Sequence, residues 1–339
     1  MTSPHLFHLN ELKPQDQSEG GVRTRVTRKN FPILNGMSLY KLVLHPLGVR
    51  EPHWHPNADE LGFCLSGKVL ITFYGNENAT ETFLVQEGEV FLIPSGFLHH
   101  IENVSSKEST LILQFSHEEP EDFGLSAALG FQTDAVLGNT WNVSETVFKP
   151  LKRSTHPKFA SLLKSPSKTA ENSPNSPYKY GLSNNDPLIH TEDGWARVAR
   201  HDVWPMVQRQ ALYLLFLKNT GMREPHWHPS TAELGYVDKG KGRMSILNPS
   251  GKVDTYEMNA GDIYFIPKAY PHHIENLGKE LHILIFFDAA MPGDIGYTGS
   301  VRAFSNDVLG ATMNISPSFF DHLKKYKEDL FIVKRINPL

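Results

Sequence analysis

Residues 50–63 read REPHWHPNADELGF, and residues 223–236 read REPHWHPSTAELGY. In a β-strand, side chains two apart share a face. His53 and His55 therefore look one way, and Trp54 looks the other. Pro56 ends the run, the chain turns, and Glu60 returns on the next apolar stretch. Further on, residues 88–103 read GEVFLIPSGFLHHIEN and residues 261–276 read GDIYFIPKAYPHHIEN. They bring His99 and His272 from a later strand. Each copy thus offers three imidazoles and one carboxylate: His53, His55, Glu60 and His99 in the first, His226, His228, Glu233 and His272 in the second. Such a donor set suits Mn(II), Fe(II), Ni(II), Cu(II) or Zn(II). In octahedral geometry two neighbouring positions stay free, for a bidentate carboxylate, a diketone, or water with O2. A lone His-x-His is commonly a surface accident. A complete set written twice, in one order and spacing, is not.

The two phrases are related by a shift of 173 residues, which also carries Pro4 to Pro177, Gly21 to Gly194 and Phe31 to Trp204. With one residue dropped, VLGNTWNVS from Val136 matches VLGATMNIS from Val308. A period this long marks two whole domains rather than a solenoid. We expect a first domain over 1–150, a linker over 151–176 rich in Ser, Pro and Lys, and a second domain over 177–339. Short apolar or alternating runs such as MSLYKLVL, KVLITFYG, ETFLVQ and STLILQFS, punctuated by Gly, Pro and Asn, predict strands. The expected class is all-β: two tandem barrels, each with short appended helices. The helical tails are expected in LSAALGFQTDAVLGNTW and in SPSFFDHLKKYKEDL.

With 339 residues there is room for two cores. Charged residues make up 21% and the net charge is -4, with no basic stripe, so neither nucleic acid nor an anionic membrane is an expected partner. The one cysteine, Cys64, forms no intramolecular disulfide. No signal pattern or bilayer-length apolar run occurs, and the expected location is cytoplasmic. The second histidines, His100 and His273, are expected to point outward, and Trp54 and Trp227 to pack in the core.

These residues resemble the cupin superfamily. Its first motif, HxH, four residues, E, six residues, G, is met by His53, His55, Glu60 and Gly67, and by His226, His228, Glu233 and Gly240. Its second motif is met by Gly88, Pro94, Gly96, His99 and Asn103. It is met again by Gly261, Pro267, His272 and Asn276, with Ala269 in place of a glycine. Over nearly the whole chain outside the linker, the closest similarity is to the oxalate decarboxylase bicupins. That resemblance implies a double-stranded β-helix for each copy, two Mn(II) sites per chain, a small carboxylate substrate with O2 assisting, and homo-oligomers, trimeric or hexameric. It also implies that the arginine before HxH, here Arg50 and Arg223, grips the substrate carboxylate. A guanidinium suits that role because it can donate two parallel hydrogen bonds. The alternative for these arginines is an ion pair with Glu51 or Glu224.

The chain departs from that family at the lid. A short SENS motif carrying the family's lid glutamate is absent. The corresponding loop reads FSHEEPEDFGLS in the first copy and FFDAAMPGDIGYTGS in the second. Glu118, Glu119 and Glu121 stand opposite Ala290, Met291 and Gly293, which makes the first site the expected catalytic one and those three glutamates its acid/base candidates. Asp122 and Asp294 are expected to cap the following helix. The expected function is a metal-dependent enzyme of the oxalate decarboxylase type. Its rivals are another metal-cupin enzyme (an oxalate oxidase, a dioxygenase or a sugar isomerase) and a non-enzymatic binder of a small ligand.

Overall fold

The runs singled out for their alternation are strands: Ser38–Leu44, Lys68–Tyr74, Thr80–Gln86 and Ser109–Phe115. In Ser38–Leu44 the even-numbered core side, Tyr40, Leu42 and Leu44, is buried while Lys41 and Val43 are half-buried. The computed structural model describes residues 3–165, 167 and 175–337. They divide into two units, one spanning Leu12–Asn184 and one joining the chain up to Glu11 with the chain from Asn185 onward.

In the first unit an antiparallel sheet runs, in spatial order, Lys179–Tyr180, Val90–Ile93, Glu60–Ser66, Ser109–Phe115, Ser38–Leu44, Gly21–Val26 and Asp16–Ser18. A second antiparallel sheet runs Phe123–Gly124, Gly48–Trp54, Leu98–Asn103, Lys68–Tyr74 and Thr80–Gln86. One apolar cluster joins them, with Tyr40, Phe91 and Phe115 from the first sheet meeting Ile71, Phe73 and Ile101 from the second. In the second unit the same path is made with fewer breaks. Glu233–Leu247 and His272–Phe287 each run unbroken where the first copy uses two strands. Both copies turn at the motif glycine, Gly67 (φ +88°) or Gly240 (φ +91°). Each copy is a double-stranded β-helix barrel.

Two features of the connections were not legible from composition. Leu6–His8, at the chain's start, pairs with Asp262–Ile266 in the second unit, and Lys179–Tyr180 pairs with Val90–Ile93 in the first. Ala160–Leu162 pairs with the histidine strand Gly48–Trp54, as Ile332–Lys334 does with Gly221–Trp227. So part of the Ser/Pro/Lys-rich stretch 151–176 is sheet; residues 166 and 168–174 of it lie outside the described residues. Just before each of these strands a phenylalanine, Phe159 or Phe331, sits in the left-handed region (φ 64° and 62°). That conformation is costly for a residue with a Cβ.

The appended helices include Leu125–Gly130 and Asp134–Trp141 in the first copy and Asn306–Met313 in the second. Their ends are written in the shared sequence. Thr133 and Ser305 accept from the backbone N–H of Val136 and Val308, and Asn142 and Asn314 close the helices in the left-handed region. The stretch SPSFFDHLKKYKEDL yields only a short 3-10 turn, Pro317–His322, rather than a longer helix. Among the described residues, no helix is long and apolar enough to cross a membrane.

Candidate metal centres

Strand geometry alone brings the first ligand set together. His53 lies on Gly48–Trp54 and His55 just beyond it; Glu60 opens Glu60–Ser66; His99 lies on Leu98–Asn103, directly opposite His53 in the sheet register. The ring centroids of His53 and His99 are 4.1 Å apart, those of His53 and His55 5.0 Å. Glu60 Oε2 stands 3.2 Å from His55 Nε2 and 3.3 Å from His99 Nε2. The second set repeats this, with His226 opposite His272 at 4.1 Å between ring centroids and His226 to His228 at 4.9 Å. In each set one donor atom per residue lies within 4.8 Å of all the others, and all eight residues are buried.

The second ring nitrogen of every histidine is already committed. Nδ1 of His53, His55 and His99 meets the carbonyls of Glu51, Glu121 and Phe97 at 2.7, 2.7 and 2.9 Å. In the second copy His226 and His272 meet Glu224 and Tyr270 at 2.7 and 2.9 Å. His228 meets Gly293 O at 3.0 Å and Asp294 Oδ1 at 2.8 Å. Holding Nδ1–H on an acceptor fixes the ring and leaves Nε2 as the free lone pair, the arrangement of metal-ligating histidine. Nε2 of His55, His99 and His272 and Oε1 of Glu60 are buried without a hydrogen-bond partner. Such groups are costly to leave unmade, and a cation amid converging lone pairs satisfies them together. Burial opposes ionisation of Glu60, but the imidazoles of His55 and His99 facing it outweigh that and hold its carboxyl down at about 2. Burial, then the Arg50 charge, keeps His53 neutral by lowering it well below the ordinary imidazole value. Three imidazoles and one carboxylate fit a divalent ion.

Arg50 and Arg223 adjoin these sets, and neither pairs with Glu51 or Glu224. Arg50 donates from Nη1 to Phe159 O (3.0 Å) and from Nη2 to the Asp122 carboxylate. Arg223 does the same with Phe331 O (3.0 Å) and Asp294. The left-handed phenylalanines thus aim a carbonyl at each arginine, and their rings lie against the guanidinium carbon, at 5.4 Å for Phe159 and 3.5 Å for Phe331. Glu51 and Glu224 instead accept from the backbone N–H of Phe159 (3.1 Å) and Phe331 (2.8 Å), fastening the returning strand. Asp122 and Asp294 are not helix caps. The residues at the helix starts are Gly124 and Gly296, with no side-chain cap. The two aspartates recur at matching places in the repeat, and that was the available signal.

Two acids of the loop are held by cations rather than aimed at the ligands. Glu118 accepts from Gly36 N (2.9 Å) and pairs with Arg28 (3.1 Å). Glu119 accepts from Lys29 N (2.8 Å) and faces Lys29 Nζ (3.5 Å). Glu121 is exposed at its side chain, and its carbonyl orients His55. Trp54 and Trp227 lie at the surface of the barrels, not in the cores. Trp54 stacks at 5.4 Å on Phe123, which is 52% exposed. Trp227 meets Tyr297 edge-on at 6.1 Å. His100 and His273 are half-buried, on the face opposite the ligands. Arg223, His226, His228, Glu233, Phe287 and Asp294 line a cavity of about 10 Å³, room for about one water.

Three comparisons bear on this arrangement. A family model described as Cupin matches residues 7–148 and 180–319. Oxalate decarboxylase OxdC of Bacillus subtilis (strain 168) is 27% identical over 317 residues, covering 91% of this chain and 82% of that protein. A structure of oxalate decarboxylase from Bacillus subtilis superposes with a TM-score of 0.88 at 24% identity, covering 99% of this chain and 88% of that one. Another structure of that enzyme, concerned with its Mn(II) centres, gives 0.88 at 24% identity over 98% of this chain and 89% of that one.

Proposed function

The chain belongs to the cupin family, and from that premise we propose that it is a metal-dependent enzyme of the oxalate decarboxylase type, holding one Mn(II) in each barrel and acting on a small carboxylic acid. The observation that carries this reading is the pair of complete, buried His/Glu sets whose donor atoms converge. Bound in such a set, Mn(II) would supply a Lewis acid. His53, His55, Glu60 and His99 would hold it in the first barrel, and His226, His228, Glu233 and His272 in the second.

The chain's own residues do the rest. Arg50 and Arg223 bind the substrate carboxylate through the guanidinium fork, and to do so each exchanges its aspartate for the substrate. The small cavity in the second barrel requires a lining residue to move before a dicarboxylate fits; Asp294, on a connecting loop, is that residue in our reading. A buried core phenylalanine, Phe115 or Phe287, packs edge-on against His55 (4.8 Å) or His228 (5.0 Å) and keeps water from that ring. For the proton we assign the first site, whose loop carries Glu118, Glu119 and Glu121. Glu118 and Glu119 must first leave Arg28 and Lys29, so loop opening precedes proton transfer.

The ion pairs that hold those two glutamates also favour a second reading, an oxalate oxidase or another metal-cupin oxidation, in which no loop acid returns a proton to carbon. One assay separates the two: metal analysis of purified protein, then oxalate turnover with CO2, formate and H2O2 measured separately. Formate supports decarboxylation and H2O2 supports oxidation; metal-replete protein that turns over neither, nor any other small carboxylate, would refute the enzymatic reading. Single Gln substitutions at Glu118, Glu119 and Glu121 should include one that stops turnover with metal content intact. We further propose a cytoplasmic homo-oligomer, trimeric or hexameric, checked by sedimentation. The exposed Phe131 (63%), Trp141 (54%) and Phe304 (57%) on the appended segments support self-association.

A further inference from the structure

Beside the ligand glutamate the two sets differ at a position outside the ligands themselves. Tyr264 lies in the strand Asp262–Ile266, opposite Gly235 in register, and its counterpart in the first barrel is Phe91, opposite Gly62. The glycines are required there, since a Cβ on Gly235 would fall 2.0 Å from the Tyr264 ring and one on Gly62 would fall 2.1 Å from the Phe91 ring. Gly235 follows Glu233 by two residues and Gly62 follows Glu60 by two, so each ring lies beside the ligand carboxylate. Tyr264 donates its hydroxyl to Glu233 Oε1 at 2.6 Å. Glu233 Oε2 then faces His228 Nε2 at 2.9 Å and His272 Nε2 at 3.4 Å. Phe91 has no hydroxyl, and Glu60 Oε1 is buried with no partner.

We propose that Tyr264 is a positioning residue that fixes Glu233 as a one-oxygen metal ligand, so that the second barrel holds its ion more tightly and in more rigid coordination than the first. This rests on the reading of both clusters as metal centres. The hydroxyl occupies the oxygen that would otherwise be free to bind the ion as well, and it holds the carboxylate plane. Glu60 has no such restraint. Its second oxygen is available to the ion, and the carboxylate can change between one- and two-oxygen binding as another ligand arrives. The barrel with the adaptable carboxylate is the one with the acidic loop, and the barrel with the locked carboxylate is the one without.

Tyr264→Phe and Phe91→Tyr test this, and each introduces only what the other barrel already accommodates. The probe is Mn(II) alone, titrated into chelator-stripped full-length protein against a competing chelator. Low-temperature electron paramagnetic resonance of the bound ion gives a second readout. His55→Ala and His228→Ala backgrounds isolate one site at a time. Tyr264→Phe should weaken the second site by about 10-fold or more, the scale for losing an outer partner of a ligand, and should shift that site's fine structure while leaving the first site's unchanged. Phe91→Tyr should tighten the first site and move its spectrum towards that of the second. Two bound ions with affinities and spectra that Tyr264→Phe leaves unchanged would overturn the inference alone. Wild-type protein that takes up no Mn(II) at either site would overturn the metal reading and the inference with it.

Discussion

Replacing Asp122 by Asn should destabilise the first barrel by about 3 kcal/mol, the low end of the cost of removing one partner from a buried ion pair. The low end follows from the contacts. One carboxylate oxygen, Oδ2, accepts from Arg50 and, at 2.8 Å, from Arg23. Arg23 keeps a second carboxylate, Asp16 at 2.9 Å, so it is not stranded. Arg50, with its side chain only 2% exposed, keeps nothing charged beyond the Phe159 carbonyl. A single stranded guanidinium is therefore the main term. For a unit of this size about 2–4 °C of melting temperature accompanies each kcal/mol, so the first transition should fall by about 6–12 °C. The assay is urea unfolding of metal-free protein at pH 7, with Arg50→Met/Asp122→Leu alongside; removing both charges should recover most of the loss. The pH dependence has a definite sign. Burial would raise the Asp122 carboxyl, but Arg50 and Arg23 outweigh it and hold it well below the usual carboxylate range. Its stabilisation is thus complete above the unfolded value of about 3.9 and is lost as pH falls from there through the folded value. The gap between wild type and Asp122→Asn should stay constant from pH 7 to pH 5 and narrow below pH 4. A loss under about 1 kcal/mol at pH 7, or a gap that persists undiminished in acid, would refute the reasoning.

Arg50→Lys should lower kcat/KM for the carboxylate substrate by about 100-fold, the scale for one preorganised donor, with metal content unchanged; full activity would make Arg50 purely structural. His55→Ala and His228→Ala should each remove one of two metal ions per chain by elemental analysis, and stoichiometry unaffected by either would remove that site from consideration. Ala269 holds a left-handed φ of 63° where the first copy has Gly96 at 80°. Ala269→Gly should therefore stabilise the second barrel by about 1 kcal/mol in denaturant unfolding, and a neutral or negative effect would show that the turn is not strained.

The ligand sets and the two barrels were legible because they are local or repeated. The two-residue strand period puts His53 and His55 on one face whatever the rest of the chain does. Repetition of that phrase with Glu233 and His272 makes accident untenable. The true helix caps are Thr133 and Ser305, just as local, and not the expected Asp122 and Asp294. Periodicity also carried the core strands, since alternation and burial are one signal.

What only the tertiary structure decided lies between residues far apart in sequence. Arg50 finds Asp122 and Phe159 O across 72 and 109 residues, and no spacing rule connects them. Glu118 and Glu119 lie in the right loop, yet they are claimed by Arg28 and Lys29 from another turn. The start of the chain closes the second barrel's edge because an open strand row needs a partner from somewhere, and pairing alone does not say from where. The hydroxyl that separates Tyr264 from Phe91 is visible in the letters, but its meaning is not. Only the fold brings that ring past a glycine and its hydroxyl to within 2.6 Å of Glu233, since a hydrogen bond is set by distance and direction, which residue type leaves open.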